Sequence, residues 1–152
     1  MDLAKNNNIF SQHFFNNIFT IMQNFPFLSL TQMLVVMRVS LAGVMMAHAA
    51  VRVLNGTVPQ FGGFLERVGF PMGVVIVWMI TAFEVFGGIA FAIGYFTRLL
   101  SVGFIFILTV GIAIIHVKFG WFVGEHGTGG SEYSVILIVG FLVAAAAARE
   151  NK

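Results

Sequence analysis

Glu84 stands alone as a charge in the apolar run Gly73–Ile93, and other ionisable residues stand in or at the edges of similar runs. Arg38 and His48 interrupt the first run, His116 closes the third, and Glu132 opens the fourth. A carboxylate near imidazoles can hold a proton, pass it on, or hydrogen-bond a polar head group. An arginine fork matches a carboxylate in shape and charge. His48 and His116 also have the chemistry of axial ligands to haem b, or of metal ligands with Glu132. Their spacing follows no local metal-binding pattern, so no metal centre is expected, and the two histidines are a weak alternative for one. The sequence contains no nucleophile–base arrangement, phosphate loop or pair of catalytic acids.

Depth along each run orders these groups. At about 1.5 Å of rise per residue, Glu84 falls near the middle of its helix and Arg38 roughly 10 Å inside the end nearer the chain termini. His48, His116 and Glu132 fall on the opposite side. A charge at mid-membrane costs at least about 2.5–3.5 kcal/mol, so Glu84 must face inward and find a partner. Arg38 is the expected partner. Such a pair has two readings, a functional site or a bridge that fixes helix register. Arg98 sits at the start of a run, where snorkelling and membrane topology account for it. His126 lies in a glycine-rich loop and is expected to be exposed.

The elements that must position these residues follow from composition. Of 152 residues, 59% are hydrophobic and only 9% charged, against about 25% charged in a soluble domain. Mean hydropathy is +0.94. The surface must therefore meet lipid. The expected fold is all-α, an integral membrane four-helix bundle preceded by an amphipathic interfacial N-terminal helix. Residues 1–30 form the interfacial segment, 31–148 the bundle and 149–152 a polar tail. The spans are read at about 31–54, 73–95, 99–117 and 132–148, each long enough to cross about 30 Å of hydrocarbon. Phe10, Phe14, Ile18, Ile21 and Phe25 recur at helical spacing among asparagines and glutamines over residues 6–28, the pattern of a helix lying in the membrane surface. Phe61–Arg67 suits a short surface helix, and Phe119, Trp121 and Phe122 an interfacial anchor.

Small residues set the approach of the helices. Gly87 and Gly88 with Ala90 on the second span, and Gly43 with Ala47 on the first, permit close backbone contact. Net charge is only +2, too little for a nucleic-acid footprint. With no cysteine, thiol redox chemistry and cysteine-ligated clusters are excluded. Any electrons must travel on something the chain binds. Lys5, Arg98, Arg149 and Lys152 fall on the side of the termini, and Arg52, Arg67 and Lys118 on the other. The positive-inside rule then places both termini in the cytoplasm.

Glu84-Val85-Phe86-Gly87-Gly88 followed by Gly94-Tyr95-Phe96-Thr97-Arg98 resembles the E-x-x-G-G…G-x-x-T-R signature of the DoxX family. Arg38 with His48-Ala49-Ala50-Val51-Arg52 is similar to that family's first-helix pattern, with Ala49 where glycine is usual and Arg52 where lysine is. His116 and Gly129-Gly130-Ser131-Glu132-Tyr133 extend the likeness, which covers about 34–148. The resemblance implies four helices in a bacterial inner membrane. Some members are membrane subunits of a thiosulfate:quinone oxidoreductase, and others look like parts of complexes handling oxidative stress. It therefore points to a membrane subunit of a redox-linked complex that holds a quinone-like or other small hydrophobic molecule in a polar pocket of Arg38, His48, Glu84, His116 and Glu132. Gly87, Gly88 and Arg98 shape the turn. The expected partners are the bilayer and other protein subunits. Competing readings are a non-catalytic assembly or scaffold subunit, a small-solute transporter, and a haem-binding membrane protein.

Overall fold

The computed structural model describes residues 15, 16, 19, 20, 22, 23, 25, 27–122 and 129–150. Met1–Met33 and Leu34–Lys152 form two compact units. In the first, residues 15, 16, 19, 20, 22 and 23 are helical. Phe25 is in a turn, and Phe27 and Leu28 are not helical; the other residues of the expected interfacial helix lie outside the described residues, as do Glu125, His126 and the last two residues of the polar tail.

Among the described residues every regular element is helical. We number them α1 (Leu30–Leu54), α2 (Val58–Arg67), α3 (Gly73–Ala92), α4 (Thr97–Ile114) and α5 (Glu132–Glu150). Four of these, all but α2, are long and apolar enough to cross a membrane. Ser29 starts α1 with a reciprocal cap. Its hydroxyl accepts from the Gln32 N–H at 3.2 Å, and its own N–H donates to the Gln32 side chain at 2.8 Å.

The buried positions of α1 (Leu41, Ala42, Met45 and Ala49) recur every three or four residues, and Arg38 and Arg52 continue the same stripe at either end. Opposite them sits a core of Phe91, Phe104 and Phe141, each fully buried. Phe104 and Phe141 stack at 4.9 Å, and Phe91 lies 5.2 Å from Phe141. Aromatic packing of this kind supplies cohesion that apolar burial alone cannot give inside lipid. Outward-facing Trp78, Phe86, Phe106 and Ile136 are exposed, as a lipid-facing surface requires.

Glycine explains two helix contacts. A Cβ on Gly88 would come within 2.7 Å of the Met46 side chain on α1, which would have to shift, so glycine lets the two helices approach closely here. The expected counterpart, Gly43, faces open space and takes no part in the contact. The third span, α4, ends at Ile114, earlier than the sequence suggested. A short 3₁₀ turn, His116–Phe119, follows and turns His116 off the helix axis.

The short helix α2 is packed, with Val58 and Leu65 buried against Val77, Ile76 and Ile114. Gly62 and Gly73 let its backbone lie directly on the start of α3. The Glu66 carboxylate accepts from the Gly73 N–H at 3.0 Å, capping α3 where the dipole favours an anion.

Candidate functional site

Glu84 sits on a π-helical turn, Phe83–Gly87, that interrupts α3. Such a turn holds its hydrogen bonds one residue wider and often marks functional positions. It turns Glu84 and Gly87 inward, where both are buried, while Phe86 faces out. Only 3% of the Glu84 side chain is exposed.

Its partner is Arg52. One guanidinium nitrogen lies 2.7 Å from Oε2 of Glu84 and the other 3.4 Å from Oε1, a two-pronged contact. The nearer nitrogen also donates to the Thr81 hydroxyl at 2.8 Å, and Thr81 in turn donates to the Val77 carbonyl at 2.7 Å. The Phe61 ring of α2 lies 5.6 Å from the guanidinium carbon and roofs the cation. Helix, π turn and roof thus leave both charges hydrogen-bonded, as a buried pair requires.

Arg38, the partner expected from the sequence, is elsewhere. Its Nε donates to the Ala92 carbonyl at 3.2 Å. The reason is side-chain direction. Side chains lean toward the N-terminus of their own helix. On α1 that carries Arg38 away from mid-membrane and brings Arg52 into it. On α3, which runs the opposite way, Glu84 leans toward Arg52.

Arg38 instead locks the turn between α3 and α4. The Tyr95 N–H bonds to the Ala90 carbonyl at 2.9 Å and the Gly94 N–H to the Phe91 carbonyl at 3.0 Å, a Schellman closure with Gly94 left-handed at φ +92°. The Arg38 cation covers the remaining carbonyl at the negative end of α3. A Cβ on Gly94 would stand 3.1 Å from that guanidinium. Gly94→Ala is expected to cost about 1–2 kcal/mol from the backbone conformation alone. Thermal unfolding in detergent will show it as a lowered Tm. An unchanged Tm would count against this account of the turn.

Beside the Arg52–Glu84 pair lies a cavity of about 140 Å³, lined by His48, His116, Tyr133 and Ser134 as well as the pair itself, with Met45, Ile107, Leu108 and Gly111 as apolar walls. His48 is exposed on the shoulder of α1, and its ring lies 6.3 Å from that of Tyr133. The His48 imidazole, the Tyr133 hydroxyl and the Ser134 hydroxyl make no hydrogen bond within the described residues. His116 Nδ1 lies 3.4 Å from the Gly129 carbonyl. That ties the 3₁₀ turn to the entry of α5, where the Ser131 and Glu132 N–H groups also bond back to the Gly120 and Trp121 carbonyls. Glu132 opens α5, half-buried and outside the cavity lining. Arg98 is exposed at the start of α4, remote in sequence and element from the cavity.

Of the five residues proposed for the pocket, the structure brings His48, Glu84 and His116 together and leaves Arg38 and Glu132 out of the lining. Sequence reasoning assigned no role in the site to Arg52, Thr81, Tyr133 or Ser134. Arg52 carried a readable signal: it lies four residues after His48, on the same face of one helix. A second opening, of about 290 Å³ and lined by Val44, Ala47, His48, Val51 and Tyr133, shares His48 and Tyr133 with the first.

The arrangement can bind a small polar group against a charged pair and exchange protons through imidazole, hydroxyl and carboxylate. A volume of about 140 Å³ does not enclose a porphyrin. Among the described residues no three histidine, aspartate or glutamate side chains come together as metal ligands. The sequence model of the DoxX family matches residues 33–117, more than half of the chain. No curated protein and no solved structure matches the chain.

Proposed function

This chain belongs to the DoxX family of membrane proteins, and on that premise we propose that it is the membrane subunit of a redox-linked complex, holding a quinone-like molecule beside Arg52 and Glu84. The observation that carries this reading is a set of polar groups, His48, Tyr133 and Ser134, with no hydrogen-bond partner among the described residues, around a cavity next to a bonded ion pair. Inside a bilayer, unpartnered polar groups are costly and mark function. The ion pair sets a fixed field, and the imidazoles and hydroxyls exchange protons with the head group as it is reduced. Electrons come from another subunit of the complex.

The complex lies in a bacterial inner membrane with both termini cytoplasmic. Lys5, Arg98, Arg149 and Lys152 on the terminal side, against Arg52, Arg67 and Lys118 on the other, support that orientation. Quinone content and quinone reductase activity of the intact complex test the reading. Glu84→Gln and His48→Ala should each lower both by tenfold or more; full activity in the two variants would refute it.

A second reading, an assembly or scaffold subunit, is favoured by one observation. Phe15, Phe19, Met22, Phe25 and Phe27 of the N-terminal unit are all largely exposed, an apolar surface suited to lipid or to a partner subunit. On that reading, removing residues 1–28 abolishes co-purification of the partner and leaves the bundle folded. A partner that still co-purifies with the truncated chain argues against it.

A further inference from the structure

We propose that the groove between the start of α4 and the end of α5 binds an anionic phospholipid from the leaflet on the side of the chain termini, with its phosphate on Arg98 and an acyl chain against α5. This site is separate from the cavity beside Glu84 and stands whether or not that cavity holds a quinone.

The groove has a volume of about 650 Å³. Small side chains open it. Over Ala144–Ala148, α5 carries an unbroken run of alanine. Ala144 is buried in the core, while Ala145 and Ala148, about one turn apart, line the groove. Larger residues at these two positions would fill the space against α4. Leu99 and Val102 form the facing wall, and both are mostly exposed, as residues against lipid are. The groove therefore offers a hydrocarbon chain an apolar bed along its deeper part.

Positive charge is gathered at the other part. Arg98 lines the groove from the first turn of α4 and is exposed. It makes no hydrogen bond or ion pair among the described residues. Gly94 also lines the groove, and the Arg38 guanidinium lies directly against it, 3.1 Å from where a Cβ would stand. Of that guanidinium only Nε is hydrogen-bonded among the described residues, to the Ala92 carbonyl, so the terminal nitrogens keep their donors. No lining residue is acidic. An arginine fork fits a phosphate with two parallel hydrogen bonds, and basic pockets between membrane helices hold anionic head groups in this way. The quaternary amine of a zwitterionic choline lipid would meet these cations uncompensated. Val102 lies four residues into α4 from Arg98, about 6 Å deeper, and α5 runs the opposite way, which sets Ala145 deeper than Ala148. A lipid with its phosphate at Arg98 thus lays its chain along Val102 and Ala145.

Native mass spectrometry of the full chain in detergent, titrated with lipid, tests the site. Dioleoyl phosphatidylglycerol should bind as the first lipid at a concentration at least about fivefold lower than dioleoyl phosphatidylcholine. Arg98→Gln should abolish that preference. Ala145→Phe keeps every charge and fills the groove, and should weaken phosphatidylglycerol binding at least about fivefold with the helical circular-dichroism signal unchanged; Ala148→Leu takes its place if that variant does not fold. Arg67→Gln removes one positive charge at the opposite end of the bundle and should leave binding as it was. Equal binding of the two lipids to the wild-type chain overturns the proposal. So does a preference that survives both Arg98→Gln and the filled groove, or one lost as fully in Arg67→Gln, which would trace it to net charge. Displacement of the lipid by an equal concentration of glycerol 3-phosphate also overturns it, since the ligand would then be a free phosphate ester.

Discussion

Replacing Glu84 with alanine will destabilise the bundle by about 3–5 kcal/mol, the cost of leaving a buried charge without its partner. Arg52, 14% exposed, keeps its Thr81 hydrogen bond and its aromatic roof but loses the only carboxylate it touches among the described residues. Arg52→Ala will do comparable damage from the other side, since Glu84 is the more deeply buried of the two. The double variant Arg52→Met with Glu84→Leu is the informative one. Well-packed apolar substitutes for a buried ion pair are often neutral or stabilising. The double variant should therefore recover most of the lost stability in a detergent unfolding titration while the quinone reductase activity of the complex stays lost. That outcome separates the two roles an internal ion pair can have. Recovery of stability together with activity would show that the pair is dispensable to the pocket. Arg52→Lys is milder, because one ammonium can reach either Glu84 or Thr81 but cannot present the same fork to both.

The second large effect is expected at Gly73. A Cβ there would collide with the Gly62 carbonyl oxygen and lie 2.8 Å from its carbonyl carbon, and Gly62 in turn has no room for a Cβ beside the Val74 backbone. These obstacles are main chain, which cannot rotate aside. Gly73→Ala must therefore push α2 off α3, at a cost at or above the upper end of the 1–3 kcal/mol usual for over-packing. The loss reaches the site, because α2 carries Phe61, the roof of Arg52. Hydrogen exchange should quicken across Val58–Arg67 while the interior of α4 stays protected. Unaltered exchange in α2 and an unaltered Tm would refute the contact. Gly63→Ala supplies the comparison, since a Cβ there meets only the flexible end of Arg67 at 3.7 Å.

What the sequence made legible was whatever depends on hydropathy and period. The four long helices, the burial of Glu84 and the tight crossing at Gly88 all follow from such patterns. The ion pair did not follow, because depth was counted along Cα atoms while the interaction is decided at the far end of a long side chain. Arg38 and Arg52 lie on one stripe of α1, about equally eligible by face. The lean of side chains toward the helix N-terminus separates them by several ångströms in opposite senses. The π turn was illegible for a different reason. Phe83–Gly87 has no composition that distinguishes it from ordinary helix, and its wider hydrogen bonding is settled by packing on both sides. Tyr133 and Ser134 were hidden by their place at the opening of the fourth span, where polar residues are expected anyway and nothing local marks them as lining a cavity.

The π turn also bears on how such a site arises. A widened turn accommodates one residue more than an α-helix needs over the same rise. Beyond it, Gly88 meets α1 and Phe91 enters the aromatic core in ordinary helical register. Loss of a single codon within Phe83–Gly87 would let the helix close into regular geometry without disturbing either contact, and would rotate the acidic position away from Arg52. Gain or loss of an acidic centre in this bundle is therefore open to a one-residue insertion or deletion, a step available to evolution without passing through an unfolded chain.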